Sequence, residues 1–156
     1  MERRPSVFAR VRARIDGVLG ANLSPLAVGG AVAAGVYIGC LPLLGIHWLL
    51  CLGAARMFRL NQALTLLASG ICNPLTFPFM LFAEIAVGRW ILGGDVASVV
   101  VPATRAEVFA MLRDGGRLLA ECLVGSVLVG GVTAAVCGAG AILVARVAAS
   151  RRTVVR

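Results

Sequence analysis

Charge is scarce in this sequence. Only 14% of its 156 residues are charged, against about 25% in a soluble globular domain. Lysine is absent, and all 15 basic residues are arginine, which fits a GC-rich codon set. Histidine occurs once, and acidic residues number seven. A chain this poor in charge cannot cover a globular surface with groups that water solvates. Three stretches carry no charge at all: Gly17 to Ala55, Leu60 to Ala83 and Cys122 to Ala145. Roughly 20 apolar residues cross a bilayer core as a helix, and each stretch reaches that length. The sequence therefore predicts an integral membrane protein.

Other absences narrow the function. No nucleophile–base pair, paired-carboxylate site or phosphate-cradling glycine loop is present, so the chain is not expected to be an enzyme. A nucleic-acid binder would interleave basic residues with exposed aromatics on a polar domain, and no such domain exists here. Cys40, Cys51, Cys72, Cys122 and Cys137 all lie in apolar runs without a Cys-x-x-Cys pair. They read as small buried thiols rather than metal ligands. A lone histidine with no nearby carboxylate cannot build a tetrahedral metal site, so neither metal nor cofactor is expected. The first apolar run also far exceeds the roughly 7–15 residues of a signal core, and the N-terminus is expected to be retained.

What is present is placed unevenly. The net charge is +8, and arginines crowd the two ends: Arg3, Arg4, Arg10, Arg12 and Arg14, then Arg146, Arg151, Arg152 and Arg156. Basic flanks beside apolar spans favour the cytoplasmic side, so both termini are expected inside, in a multi-pass protein of a bacterial inner membrane. Val7, Phe8, Val11, Ile15, Val18 and Leu19 recur at helical spacing and predict a basic amphipathic helix within residues 1–22. A membrane core would follow over 23–93. An amphipathic linker helix is expected over 94–118, where Thr104-Arg105-Ala106-Glu107 has the form of a capping box. A Gly/Ala-rich transmembrane helix over 119–146 and a basic tail over 147–156 complete the chain.

The core carries two breaks. Pro42 removes a backbone donor and clashes with the preceding turn, and Gly39 and Gly45 permit a sharp bend around it. The flanking arms, Leu26 to Leu41 and Leu43 to Ala55, are about 24 and 20 Å long, short of the roughly 30 Å hydrocarbon core. A second unit repeats the plan: an arm from Leu60, a break at Asn73-Pro74-Leu75-Thr76-Phe77-Pro78, and an arm to Gly88. The expected fold is all-α, with two proline-broken helical hairpins that a re-entrant path would explain, flanking amphipathic helices and one C-terminal crossing.

Broken helices survive in lipid only where protein or a wet cavity shelters the freed backbone, so the breaks predict an internal polar site. His47 lies five residues after Pro42, and an ionisable residue in a membrane segment is a functional candidate. Its bland alternative is a neutral imidazole satisfying a freed carbonyl. Asn73 and Thr76 can cap the second arm. Arg59 and Asn61 sit where the two units meet. Arg59 could grip a phosphate or carboxylate or snorkel to headgroups. Glu84 could pair with Arg56, Arg59 or Arg89, or relay a proton. Pairing is favoured, because an unpaired carboxylate in lipid is costly.

These residues carry a resemblance. The pattern Gly39-x-x-Pro42-x-x-Gly45-x-His47, Arg59-x-Asn61, Asn73-Pro74-x-Thr76-x-Pro78 and Gly88 resembles the bacterial membrane family catalogued as domain of unknown function 2062, over about residues 26–93. The resemblance implies a small inner-membrane protein and supplies marker residues, but no substrate. Ser69-Gly70-Ile71-Cys72 replaces an aromatic that members often carry before the Asn-Pro pair.

Two functions are open at this point. The first is transport, or handling of a lipid or anionic substrate, at a site lined by His47, Arg59, Asn61, Asn73, Thr76 and Glu84. The second is a non-catalytic scaffold or accessory subunit for an envelope enzyme such as a glycosyltransferase. The expected partners are the lipid bilayer, a second copy of the chain, and an envelope-biosynthesis protein.

Overall fold

A computed structural model describes residues 23–43, 45–71, 73, 75–98, 104, 106, 109, 113 and 115–154. The predicted N-terminal amphipathic helix, most of the linker helix and the residues Cys72 and Pro74 lie outside them. The described residues form five α-helices and no strand: α1 (Pro25–Cys40), α2 (His47–Met57), α3 (Gln62–Ser69), α4 (Phe77–Ile91) and α5 (Gly116–Val154), with a 3₁₀ turn at Val96–Ser98. A chain of this composition has little else available, since unpaired strand edges and lone loops are expensive in an apolar setting.

Each helix boundary has a local cause. Ser24 starts α1, its hydroxyl accepting from the Ala27 N–H at 3.2 Å, and Pro25 fills the first turn. The helix stops at Cys40 because Leu41 precedes a proline. A residue in that position is pushed out of the helical region, and Leu41 is extended, with φ −70° and ψ 138°. Asn61 caps α3 by accepting from the Leu64 N–H at 2.9 Å. The Asn73 side chain accepts from the N–H groups of Leu75 and Thr76 at 2.9 and 3.1 Å ahead of α4.

Two helix ends share one geometry with different residues. After α4, the Gly94 N–H reaches back to the Arg89 carbonyl at 2.8 Å while Gly93 turns left-handed at φ 74°. After α2, the Leu60 N–H reaches the Ala55 carbonyl at 2.7 Å while Arg59 takes the left-handed position at φ 54°. That position normally goes to glycine, which has no Cβ to crowd.

Glycine contacts set the helix directions. Along α1, Gly29 meets Gly138 and Ile142 of α5, whereas Cys40 and Tyr37 meet Gly130, so α1 and α5 are antiparallel. Gly30, Gly35 and Gly39 meet Leu60, Thr65 and Ser69 in step, so α3 runs parallel to α1. Further along, Gly88 packs on the Glu121 backbone and Gly125 on the Glu84 backbone, so α4 is also antiparallel to α5.

In the first unit α2 returns beside α1 and α3. The second unit does not fold back. Its arms α3 and α4 run in the same direction along α5, as a broken rod rather than a hairpin. The cause is packing: α3 is held against α1, and the glycine seam of α4 is packed on the antiparallel α5. The result is a long helix of about 58 Å, with α1 and α4 placed end to end along it.

α5 has 39 residues, and its stretch Gly116–Ser150 is long and apolar enough to cross a membrane. It begins before and ends after the span of 119–146 expected from sequence. Large apolar side chains are exposed along the bundle, including Leu67, Leu75, Phe79, Trp90, Val132 and Val144. Buried hydroxyls are satisfied within their own helices: Thr65 donates to the Asn61 carbonyl, Ser69 to Leu66 and Ser126 to Leu123.

Candidate functional site

Four helix ends meet in one neighbourhood. α1 stops at Cys40 and α3 at Ser69, and Gly39 packs directly on the Ser69 carbonyl. α2 begins at His47, and one turn later its Cys51 thiol lies against Ser69. α4 begins at Phe77, and its Met80 joins Ile71, Cys40 and Ala134 in one apolar cluster. The ends of α1 and α3 and the first turns of α2 and α4 thus lie around Cys40 and Ser69. N-termini carry partial positive charge and C-termini partial negative charge, so the junction is polar through its backbone alone.

The side chains there are tied down to different degrees. Thr76 accepts from the Asn73 N–H at 3.1 Å and donates to the Ile71 carbonyl. Asn73 and Thr76 therefore close a reciprocal turn just ahead of α4, whose N-cap Thr76 makes no side-chain bond to the helix amides. No side chain caps α2, whose N-cap is Ile46. His47 is half-buried at the first position of that helix. The Trp48 indole N–H donates to the Gly45 carbonyl at 2.8 Å and pins the loop beneath it, while Gly45 itself is left-handed at φ 94°.

Residues that sequence reasoning placed in one site fall in separate places. His47 stands at the start of α2 after the break residues Gly39, Pro42 and Gly45, and Asn73 and Thr76 stand ahead of α4 at the second break. Arg59 and Asn61 lie at the far end of α2, about 16 Å away, where Arg59 is exposed and Asn61 serves as a cap. Glu84 lies on the α4–α5 seam. It is buried, and the Cys122 thiol donates to its Oε2 at 3.8 Å. Arg89, one of the arginines named as a partner for Glu84, forms an ion pair with Glu121.

Glu121 is the residue that sequence reasoning missed. It is 2% exposed, and both its oxygens are held. Arg89 donates through Nε and Nη2 to Oε2, each at 2.8 Å, and Arg117 donates through Nε to Oε1 at 3.2 Å. A signal for it exists. Ala83-Glu84-x-x-Val87-Gly88 recurs as Ala120-Glu121-x-x-Val124-Gly125. In the fold each glycine of this repeat receives the backbone of the other helix's glutamate. Two identical motifs thus cross as a local two-fold.

Comparison with known proteins adds one result. A family model described as "Uncharacterized protein conserved in bacteria (DUF2062)" matches residues 9–153. No curated protein and no solved structure matches the chain.

Proposed function

We propose that the chain, which belongs to the DUF2062 family, is a multi-pass membrane protein that binds and moves a small anionic substrate at the junction of its four helix ends. The observation that carries this reading is the convergence itself. An apolar bundle has no packing reason to end two helices and begin two others at mid-depth, and in lipid each freed backbone group must find a partner. Transporters use discontinuous helices in this way, offering half-helix N-termini to anionic groups. Here the N-terminus of α2, uncapped by any side chain and carrying His47, is the part facing a substrate anion. Asn73 and Thr76 hold the neighbouring α4 terminus in place. Arg59 lies too far away to share that contact.

The exposed apolar surface supports the membrane reading. A soluble monomer rarely exposes a contiguous apolar patch beyond a few hundred Å². In this topology the α1–α2 hairpin enters and leaves by one face. The broken rod α3–α4 and the long helix α5 both cross. Arg56, Arg59 and Arg146 then share one end with both termini, on the cytoplasmic side favoured by basic residues.

The test is anion-dependent stabilisation of the purified chain in detergent, using inorganic phosphate, pyrophosphate, sulfate and citrate as probes. Wild type is expected to gain thermal stability with at least one probe, and His47→Ala and Thr76→Val to lose that gain. An identical response of His47→Ala and wild type to every probe removes the site. A role as a passive accessory subunit predicts that identical response.

A further inference from the structure

We propose a second binding site, at the opposite end of α4 from the junction, for a headgroup that carries both a phosphate and a primary amine. A cleft of about 500 Å³ opens between the end of α4 and the start of α5, lined by Arg89, Gly94, Asp95, Gly115, Arg117 and Glu121. That size falls within the roughly 300–1,000 Å³ of small-molecule sites. Gly94 lets the Arg89 stem pass close, since a Cβ there would stand 2.6 Å from Arg89 Cγ.

The charges are organised. Buried Glu121 fixes both guanidinium groups, and it does so asymmetrically. Arg89 commits Nε and Nη2 to it and is 17% exposed, whereas Arg117 commits only Nε and is 72% exposed. The Nη2 atom of Arg117 lies 3.4 Å from where a Cβ on Gly94 would stand, so the guanidinium borders the cleft and Gly94 keeps its approach open. A guanidinium held at Nε presents its outer nitrogens as a fork suited to phosphate oxygens. Asp95 follows Gly94 on the same rim, exposed, with Oδ1 accepting from the Ala97 N–H at 3.0 Å. A carboxylate and a guanidinium lining one cleft match a zwitterion better than a simple anion. Phosphoethanolamine has both groups on one short linker, and in a bilayer it is the headgroup of phosphatidylethanolamine. The lipid as its source rests on the membrane reading above; the headgroup chemistry does not.

The experiment is native mass spectrometry of the full chain in detergent with phosphatidylethanolamine, phosphatidylglycerol and phosphatidylcholine. Soluble phosphoethanolamine serves as a competitor. Phosphatidylethanolamine is expected to be retained preferentially. Arg117→Gln should lower its occupancy about tenfold, the loss of one charge-assisted contact. Asp95→Asn keeps the acceptor to Ala97 and should shift preference toward phosphatidylglycerol. Both positions are exposed, and circular dichroism checks that the variants stay helical. Competition by soluble phosphoethanolamine supports recognition of the headgroup alone. Selective lipid retention without that competition supports a lipid ligand held by its chains as well. Equal retention of the three lipids, or an Arg117→Gln variant that binds phosphatidylethanolamine as wild type does, overturns the site.

Discussion

Arg59 occupies a backbone position that opposes its own side chain. Its φ of 54° is the only positive value among the described non-glycine residues, and the equivalent turn after α4 uses Gly93. A left-handed residue with a Cβ costs roughly 1 kcal/mol against glycine. Arg59→Gly is therefore expected to raise unfolding stability in detergent by about 1 kcal/mol, and Gly93→Arg to lower it by a similar amount. Chemical denaturation measures both, and an Arg59→Gly variant less stable than wild type would show that the guanidinium makes a compensating contact. Strain retained at one residue directs attention to its side chain, so Arg59 stays of interest although it lies outside the junction. Asn61 is simpler. Its amide caps α3, and Asn61→Ala should cost about 1 kcal/mol in the same assay.

At the level of helices, the α4–α5 seam is the least forgiving contact. A Cβ on Gly88 would meet the Glu121 carbonyl, and one on Gly125 would meet the Glu84 carbonyl. Both obstacles are backbone and cannot turn aside. Gly88→Leu or Gly125→Leu is expected to destabilise by about 3 kcal/mol or more, seen as loss of the folded species in size-exclusion chromatography. Gly131 meets nothing within 4 Å, so Gly131→Ala should be neutral or stabilising by up to about 1 kcal/mol. Equal tolerance at Gly88 and Gly131 would refute the seam. The sequence makes the breaks legible because their causes are local: Pro42 acts on Leu41, Asn73 on the amides of Leu75 and Thr76, and Thr76 on the amide of Asn73. Directions are not local. Whether α4 turns back or runs on depends on where a glycine thirty-odd residues away finds a carbonyl. The repeated Ala-Glu-x-x-Val-Gly held that information, but it becomes meaningful only when the two copies are laid across each other. The same limit hid Glu121, whose partners Arg89 and Arg117 come from two helices.

For the whole molecule, the proposed topology makes a sharp statement about sides. Arg59 and the C-terminal end of α5 belong to one face, and Gly94 and Gly116 to the other. Alkaline phosphatase fused after Gly94 should be active outside the inner membrane, and a fluorescent protein fused after Arg156 should be bright inside. The opposite pair of results inverts the molecule, and two cytoplasmic signals remove the α3–α4 crossing. A continuous rod laid beside a divided one has uneven stiffness. α5 can tilt, but bending it breaks successive hydrogen bonds. α1 and α4 meet across a gap that no helical ladder bridges. Any load placed on the bundle, whether from lateral pressure or from a change in bilayer thickness, therefore concentrates its deformation at that gap. Asn73 and Thr76, whose bonds to each other hold the start of α4, stand on one side of that gap.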